Sequence, residues 1–247
     1  MRAPVTRLAT LLVLCAACAP GEAPALDATH RYAADPTLPA EEGQRLDGQP
    51  NGPWLTRHTN GVVASRGEYR RGVKVGEWTT WHADSVAESR GRYESGRRSG
   101  TWRTWHASGH LREVGDYVND LKSGEWVEHH ENGEVLARGR YEAGVPVGTW
   151  TYFERDGSRA MEGEFAAGAR SGVWRRWHPN GRLALEGSFA DDVEHGPSKS
   201  WHEDGTLAFE GSYANGLLEG TCRFWGEGGA LDEAASGTYR AGERVGD

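Results

Sequence analysis

The pattern of hydrophobic and polar residues recurs every 24 residues from Gly52 to the end of the chain. Each unit begins with a glycine, counted as position 0, and eight units follow one another. These glycines are Gly52, Gly76, Gly100, Gly124, Gly148, Gly172, Gly196 and Gly220, and Gly246 follows after a two-residue insertion. Tryptophan recurs at position 2, and tyrosine or phenylalanine at position 17. A fixed period of this length indicates a repeat architecture in which each unit packs on its neighbours.

Each unit predicts a β-hairpin. Asn-Gly or Asp-Gly pairs such as Asn132-Gly133 occupy positions 8 and 9 in most units, and they favour a two-residue type I′ turn. The flanking residues are rich in Trp, Thr, Val, Leu and Tyr, which suit strands. A second glycine near position 20 marks the connection to the next unit. No segment has a helical period. We therefore expect an all-β fold, an elongated single-layer antiparallel sheet or solenoid of eight stacked 24-residue β-hairpin repeats.

The predicted turn also sets the register of each hairpin. Position 2 should face position 15 across the hairpin, and position 6 should face position 11. Position 15 is glycine in seven units, so each position-2 ring is expected to cover the glycine opposite it, as Trp126 would cover Gly139. Position 11 should share this face, which places Leu111, Leu183 and Leu207 beside the Tyr column.

A second tryptophan column occupies position 5 and should point to the opposite face, because its parity is odd. It consists of Trp81, Trp105, Trp177, Trp201 and Trp225. Position 14, diagonal to it, carries Arg66, Arg90, Arg138, Glu162, Glu186 and Glu210. Indoles about 9–10 Å apart and flanked by charge form a candidate binding strip. The alternative is that the rings pack on one another and on arginine stems, which would seal the sheet.

The N-terminus predicts export and lipidation. Residues 1–17 combine a basic start, a short apolar stretch and two alanines before Cys18, which resembles a lipoprotein signal peptide with Cys18 as the lipidated residue. Cleavage before Cys15, or an ordinary secretory cleavage near Ala19, are the alternatives. Ala19 after the cysteine resembles the outer-membrane sorting signal, so the predicted location is the cell envelope, as an outer-membrane lipoprotein.

The predicted domain boundaries follow from composition. Residues 18–51 contain five prolines and no apolar periodicity, which is typical of a flexible tether. The eight repeats occupy residues 52–247.

Composition narrows the class of protein. The 247 residues include 35 glycines and 11 tryptophans, with a formal net charge of −8. The aromatic content argues against disorder, and the acidic balance argues against nucleic acid as a partner. The charge is uneven, since residues 52–147 carry a net +1 and residues 148–247 a net −7. This asymmetry suits either orientation against an anionic surface or solubility alone.

No catalytic motif occurs, so we expect neither enzymatic activity nor a cofactor. Histidine recurs at position 6, but neighbouring units place these side chains about 9–10 Å apart, too far to share one zinc ion. We therefore expect no metal site, and expect the histidines to bond the loop or stack beside position 11. Cys222 replaces a tryptophan at position 2 and should be buried.

The spacing of glycine, tyrosine and tryptophan from Gly67 to His82 resembles the MORN-repeat variant of bacterial proteins, which are commonly labelled as YwqK-type antitoxin family members. The resemblance covers residues 52–247 and implies an elongated, twisted antiparallel sheet of hairpins. It also implies an interaction scaffold, in some cases one that binds phospholipid. An antitoxin role for an exported protein would require a toxin outside the cytoplasm.

The sequence therefore favours a non-enzymatic, membrane-anchored repeat scaffold, acting as a monomer and binding a protein or a cell-envelope polymer. The alternatives are a structural spacer without a specific ligand, or an antitoxin-like or immunity-like inhibitor of a toxin.

Overall fold

The computed structural model describes residues 37–246, so the predicted signal peptide, Cys18 and most of the predicted tether lie outside it. No helix in the described part is long and apolar enough to cross a membrane. The described residues form one antiparallel sheet of 19 strands. The strands are β1 (Glu41–Leu46), β2 (Gln49–Arg57), β3 (Val63–Arg70), β4 (Val73–Trp81), β5 (Ala87–Glu94), β6 (Arg97–Trp105), β7 (Leu111–Val118), β8 (Leu121–His129), β9 (Val135–Glu142), β10 (Val145–Phe153), β11 (Arg159–Ala166), β12 (Ala169–Trp177), β13 (Leu183–Ala190), β14 (Val193–Trp201), β15 (Leu207–Ala214), β16 (Leu217–Leu218), β17 (Gly220–Phe224), β18 (Gly237–Arg240) and β19 (Glu243–Gly246).

The sheet is a succession of hairpins, as the 24-residue period predicts. From β1 to β15 each strand pairs with the next along the chain, and β16 and β17 continue one interrupted strand against β15. The all-β, single-sheet fold class is therefore confirmed.

The sheet begins before the predicted boundary at residue 51, because β1 and the start of β2 lie within the segment expected to be a tether. The reason is visible in the repeat itself. Gly43 and Gly48 stand 24 residues before Gly67 and Gly72, and the ring of Trp54 covers Gly43. Half a repeat unit therefore precedes Gly52.

Turns of two kinds alternate along the sheet. Between units, pairs such as Ala143-Gly144 have φ of 48° and 83°, the signature of a two-residue type I′ turn. Within units, the Asn132-Gly133 loop has positive φ only at Gly133, at 91°. Gly133 N donates to His130 O at 2.9 Å, and His130 N donates to Glu134 O at 2.8 Å. This is a three-residue loop, a type I turn followed by a left-handed glycine. The prediction of a type I′ turn at this site is wrong, although its location is correct.

The asparagine side chain explains the longer loop. Asn132 Oδ1 accepts a hydrogen bond from Glu134 N at 3.2 Å, which is the local bond of an Asx-turn. Its Nδ2 donates to Arg155 O of the next unit at 2.7 Å. The loop residue thus bonds both its own hairpin and its neighbour.

The longer loop shifts the register close to the turn. Trp126 faces Gly139 as predicted, and the same pairing recurs in the other units. A bulge at position 12 then pairs position 5 with position 11, so Trp105 faces Leu111 and Trp177 faces Leu183. The predicted pairing of positions 6 and 11 is wrong. The leucines lie opposite the second tryptophan column.

The core is an unbroken aromatic ladder along one face. The rings of positions 2 and 17 alternate with centroids 5.0–6.2 Å apart and planes at 80–88°. Its members in chain order are Trp54, Tyr69, Trp78, Tyr93, Trp102, Tyr117, Trp126, Tyr141, Trp150, Phe165 and Trp174. The tryptophans of the ladder are at most 5% exposed. Edge-to-face contacts of this kind each contribute about 0.5–1.5 kcal/mol beyond burial.

Each ladder tryptophan covers a glycine of the preceding unit. Trp126 lies opposite Gly139 in its own hairpin and opposite Gly115 in the preceding unit. It is at Gly115 that an added Cβ atom would overlap the Trp126 ring, so the ring leans toward the preceding unit. The predicted cover within one hairpin is therefore wrong. Trp126 Nε1 also donates to Asp116 O at 3.2 Å, again in the preceding unit. The ring therefore joins one unit to the other.

The ladder changes character in the last units. Ser198 and Cys222 replace tryptophan at position 2, and both are buried, as predicted for Cys222. Phe209 takes up part of the space, because its ring packs over Gly211 and lies 4.9 Å from the Phe224 ring.

Candidate binding face

The second tryptophan column lies on the face opposite the ladder. Glu77, Thr79 and Trp81 are alternate residues of β4 and line one groove, so position 5 keeps the predicted odd parity. All five tryptophans of this column are half-buried, in contrast to the buried rings of the ladder. The second face is therefore the one whose tryptophans are partly exposed.

The groove beside Trp81 has a volume of about 370 Å³ and crosses β2 to β5. It is lined by Pro53, Arg66, Gly67, Glu68, Glu77, Thr79, Trp81 and Arg90. The structure thus brings together three of the residues singled out from the sequence, Trp81, Arg66 and Arg90. Trp105, Trp177, Trp201, Trp225 and Arg138 lie outside this groove.

A row of side chains from positions 3 and 14 runs beside this column, each residue directly opposite the next on neighbouring strands. We call it the charged row, because ten of its fifteen members are Arg, Lys or Glu. Its members in order are Leu55, Arg66, Thr79, Arg90, Arg103, Val114, Val127, Arg138, Thr151, Glu162, Arg175, Glu186, Lys199, Glu210 and Arg223. Directly opposite pairs are the ones that interact most strongly in an antiparallel sheet.

The C-terminal part of the charged row neutralises itself, because acidic and basic residues alternate from Glu162 to Arg223. Arg175 Nε lies 2.8 Å from Glu186 Oε2, and Lys199 Nζ lies 2.8 Å from Glu210 Oε1. The hydrogen bond from Lys199 and its charge lower the pKa of Glu210. Glu186 and Glu210 are therefore partners of cations in their own row, whereas Glu162 pairs with Arg159, outside the row, at 3.6 Å.

The N-terminal part of the row has no such alternation. Arg90 and Arg103 are directly opposite each other, an arrangement that is unfavourable for like charges. Among the described residues Arg66 and Arg103 form no ion pair, and Arg90 Nε has only Glu77 Oε2, at 3.6 Å. We call Arg66, Thr79, Arg90 and Arg103 the arginine patch. It places three arginines beside Trp81 and Trp105, and of these only Arg90 has a carboxylate partner among the described residues.

Arg138 and Trp177, also predicted from the sequence as binding residues, take part in stacking contacts outside the arginine patch. Val114 and Val127 separate Arg138 from the arginine patch, and its guanidinium carbon lies 5.3 Å from the centre of the Phe153 ring. The guanidinium carbon of Arg159 lies 5.0 Å from the Trp177 ring. Arginine stacking therefore covers part of the second column, as the alternative interpretation holds.

The position-6 histidines join the units. The Nε2 atom of each donates to the position-5 carbonyl of the next unit at 2.7–3.2 Å, and the pairs are His58–Trp81, His82–Trp105, His106–His129, His130–Phe153, His178–Trp201 and His202–Trp225. The bond expected to stay within the loop thus reaches the neighbouring hairpin.

His129 takes a tryptophan position in the second column, and its Nδ1 is buried with no hydrogen-bond partner in the described structure. Burial lowers the pKa of His129, and the charge of His106 lowers it further. The folded state therefore favours the neutral ring. Stability from this residue is fully present above the unfolded pKa of about 6.5 and is lost as the pH falls through the folded pKa.

We expect His129→Phe to remove part of this pH dependence, since Phe153 occupies the same position one unit later. Urea midpoints at pH 8 and pH 5 should differ less for the variant than for the wild type. The exposed His110 offers the control, because His110→Gln should leave the difference unchanged. Equal midpoint differences in His129→Phe and the wild type would contradict the assignment.

Sequence reasoning missed a basic column above the ladder. Lys74, Arg98, Lys122 and Arg170, at position 22, place their charges over aromatic rings, with Lys122 Nζ 4.0 Å from the Trp126 ring centre. The sequence contained a signal for this column, because Asp120 and Asp192 replace the turn glycine in the units that follow Arg98 and Arg170. Asp120 Oδ1 accepts from Arg98 N at 2.9 Å and from its Nε at 3.1 Å. These bonds lower the pKa of Asp120, and Asp192 pairs with Arg170 in the same way.

Comparison with known families identifies the hairpin unit. Residues 98–119, 170–191 and 194–215 match the MORN repeat variant. No curated protein matches the chain. Each matched segment runs along one hairpin between two type I′ turns, β6–β7, β12–β13 or β14–β15. The hairpin bounded by type I′ turns is therefore the unit in which this chain is similar to the MORN repeat variant.

Proposed function

We propose that the protein is a non-enzymatic repeat scaffold that holds a protein partner or a cell-envelope component against its second face, while a lipid on Cys18 anchors it to the membrane. The cell envelope, as an outer-membrane lipoprotein, is the proposed location. The observation that carries the proposal is the arginine patch beside half-buried Trp81 and Trp105. Interfaces are enriched in tryptophan and arginine, and the most important contacts concentrate on them.

The two faces differ in what they can offer a partner. The ladder tryptophans are buried, and the Nε1 atoms of Trp78, Trp102, Trp126, Trp150 and Trp174 donate to backbone carbonyls. The tryptophans of the second column are only half-buried. Removal of the second column should therefore affect binding more than folding.

A pull-down from envelope extract, with the bound proteins and polymers identified, tests this proposal. The variant Trp81→Ala/Trp105→Ala/Trp177→Ala/Trp201→Ala should lose the specific partner while its far-ultraviolet spectrum keeps the β signal. Leu121→Ala/Val193→Ala serves as a control, because these exposed side chains lie beside the type I′ turns, away from the column. Undiminished capture by the folded quadruple variant would leave the chain as a structural spacer.

The anchor is tested separately in the same preparations. Cys18→Ala should move the protein from the membrane fraction to the soluble fraction. Retention of this variant in the membrane would refute lipidation at Cys18.

A further inference from the structure

The arginine patch and the tryptophans beside it form two matching sets of residues. The first set is Arg66 on β3 with Thr79 and Trp81 on β4. The second set is Arg90 on β5 with Arg103 and Trp105 on β6. Corresponding residues of the two sets lie two strands apart, a distance of about 9.4–9.8 Å across the sheet. Within each set, the indole lies two residues along the strand from the charged row, a distance of about 6.4–6.8 Å. The patch therefore presents a repeating pair of surfaces, one cationic and one aromatic.

The spacing selects among extended ligands. Side chains on one side of a β-strand recur every 6.4–6.8 Å or so, and an α-helix advances about 5.4 Å per turn, so neither stays in step with the two sets. A polyproline II helix has three residues per turn with a rise of about 3.1 Å each, or about 9.3 Å per turn. This period matches the spacing of the sets.

We infer that the N-terminal half of the second face binds an acidic, proline-rich peptide in the polyproline II conformation, with a carboxylate at every third residue; this rests on the proposed function. One carboxylate faces Arg66 and Thr79, and the next faces Arg90 and Arg103. Prolines between them pack on Trp81 and Trp105, as prolines do in aromatic-lined grooves.

The arginines of the patch supply the cations that such a ligand needs. Guanidinium groups bind carboxylates in a forked, charge-assisted geometry. Glu68 and Glu77 also line the groove, on the side of the arginine row away from the tryptophans. A ligand carboxylate at Arg90 therefore competes with Glu77, whose Oε2 lies 3.6 Å from Arg90 Nε, whereas Arg66 and Arg103 have no such competitor among the described residues. The site is confined to this half, because in the other half Arg175 and Lys199 are already ion-paired with Glu186 and Glu210 of the same row.

The test uses synthetic peptides and the folded protein in isothermal calorimetry. The peptide (Glu-Pro-Pro)₄ should bind, and added salt should weaken the binding. The neutral (Gln-Pro-Pro)₄ and the differently spaced (Glu-Pro)₆ should each bind about tenfold more weakly or worse. Arg66→Gln/Arg90→Gln should lose about tenfold or more in affinity for (Glu-Pro-Pro)₄. The matched control Arg175→Gln/Lys199→Gln removes two cations from the same face and should bind as the wild type does.

Several results would overturn the inference. These are no binding of (Glu-Pro-Pro)₄ at about 1 mM, equal binding of (Glu-Pro)₆, or an equal loss in the Arg175→Gln/Lys199→Gln control. Binding of polygalacturonate but not of the peptide would assign the patch to an acidic polysaccharide instead. If the peptides fail while the quadruple tryptophan variant still loses its partner in the pull-down, this inference falls and the proposed function stands. Circular dichroism of each variant should show a folded sheet, because the substituted side chains are half-buried or exposed.

Discussion

Replacement of Trp126 by alanine is expected to lower the free energy of unfolding by about 3–5 kcal/mol, the range for deletion of a buried aromatic side chain. The ring is 1% exposed and lies between Tyr117 and Tyr141, at centroid distances of 5.1 and 6.1 Å. Its loss opens a cavity in the middle of the ladder, removes the Nε1 bond to Asp116 and leaves Gly115 uncovered. Urea unfolding followed by tryptophan fluorescence and circular dichroism measures the change.

Trp105→Ala is the matched comparison, because it removes the same side chain from the opposite face one unit earlier. Trp105 is half-buried and belongs to no ring pair of the ladder, so a clearly smaller loss of stability is expected. Equal losses in the two variants would mean that both columns belong to the core and that the ladder has no special role.

The second large effect is expected from Gly139→Val. Valine has a higher strand propensity than glycine, so the local sequence preference predicts stabilisation. The structure predicts the reverse, because a Cβ at this position would overlap the indole of Trp150. Overpacking of this kind costs about 1–3 kcal/mol, and displacement of the ring would also disturb its bond to Arg140 O.

Gly187→Val separates the effect of the ring from that of the strand. Gly187 occupies the same position in its unit, but Ser198 stands where the covering tryptophan would be, and the nearest atom to an added Cβ is Ser198 Oγ at 3.2 Å. Thermal unfolding should therefore show a much smaller loss for Gly187→Val than for Gly139→Val. A loss of the same size at both positions would show that backbone conformation, and not the ring, excludes side chains there.

These expectations describe a protein in which the contacts between units are as specific as those within them. The tryptophan ring contacts an adjacent unit at the ladder. The histidine Nε2 and the asparagine Nδ2 do so at the loop. The stability of such a sheet is close to a sum over units and their interfaces. An isolated unit would lack the contacts that reach its neighbours, which is the physical reason for the repetition.

The sequence by itself determined the period, the strands and the pairing of Trp126 with Gly139. These follow from local rules, because the alternation of side chains and the position of a turn fix which residues face each other. Reading the same period backward would also have found the half unit at Gly43 and Gly48. The parity of Trp81 likewise placed it on the face with Arg66 and Arg90.

Only the tertiary structure decided which of the two neighbouring strands each side chain contacts. A strand in the sheet has a partner about 4.7–4.9 Å away on either side, so parity places Trp126 on a face without showing that its ring leans toward Gly115 instead of Gly139. The Asn-Gly pair is compatible with both loop lengths, and the bond from Asn132 to Arg155 in the next unit accompanies the longer one. The opposition of Arg90 and Arg103 likewise depends on the pairing between units, which follows the between-unit turn and the bulge at Gly100.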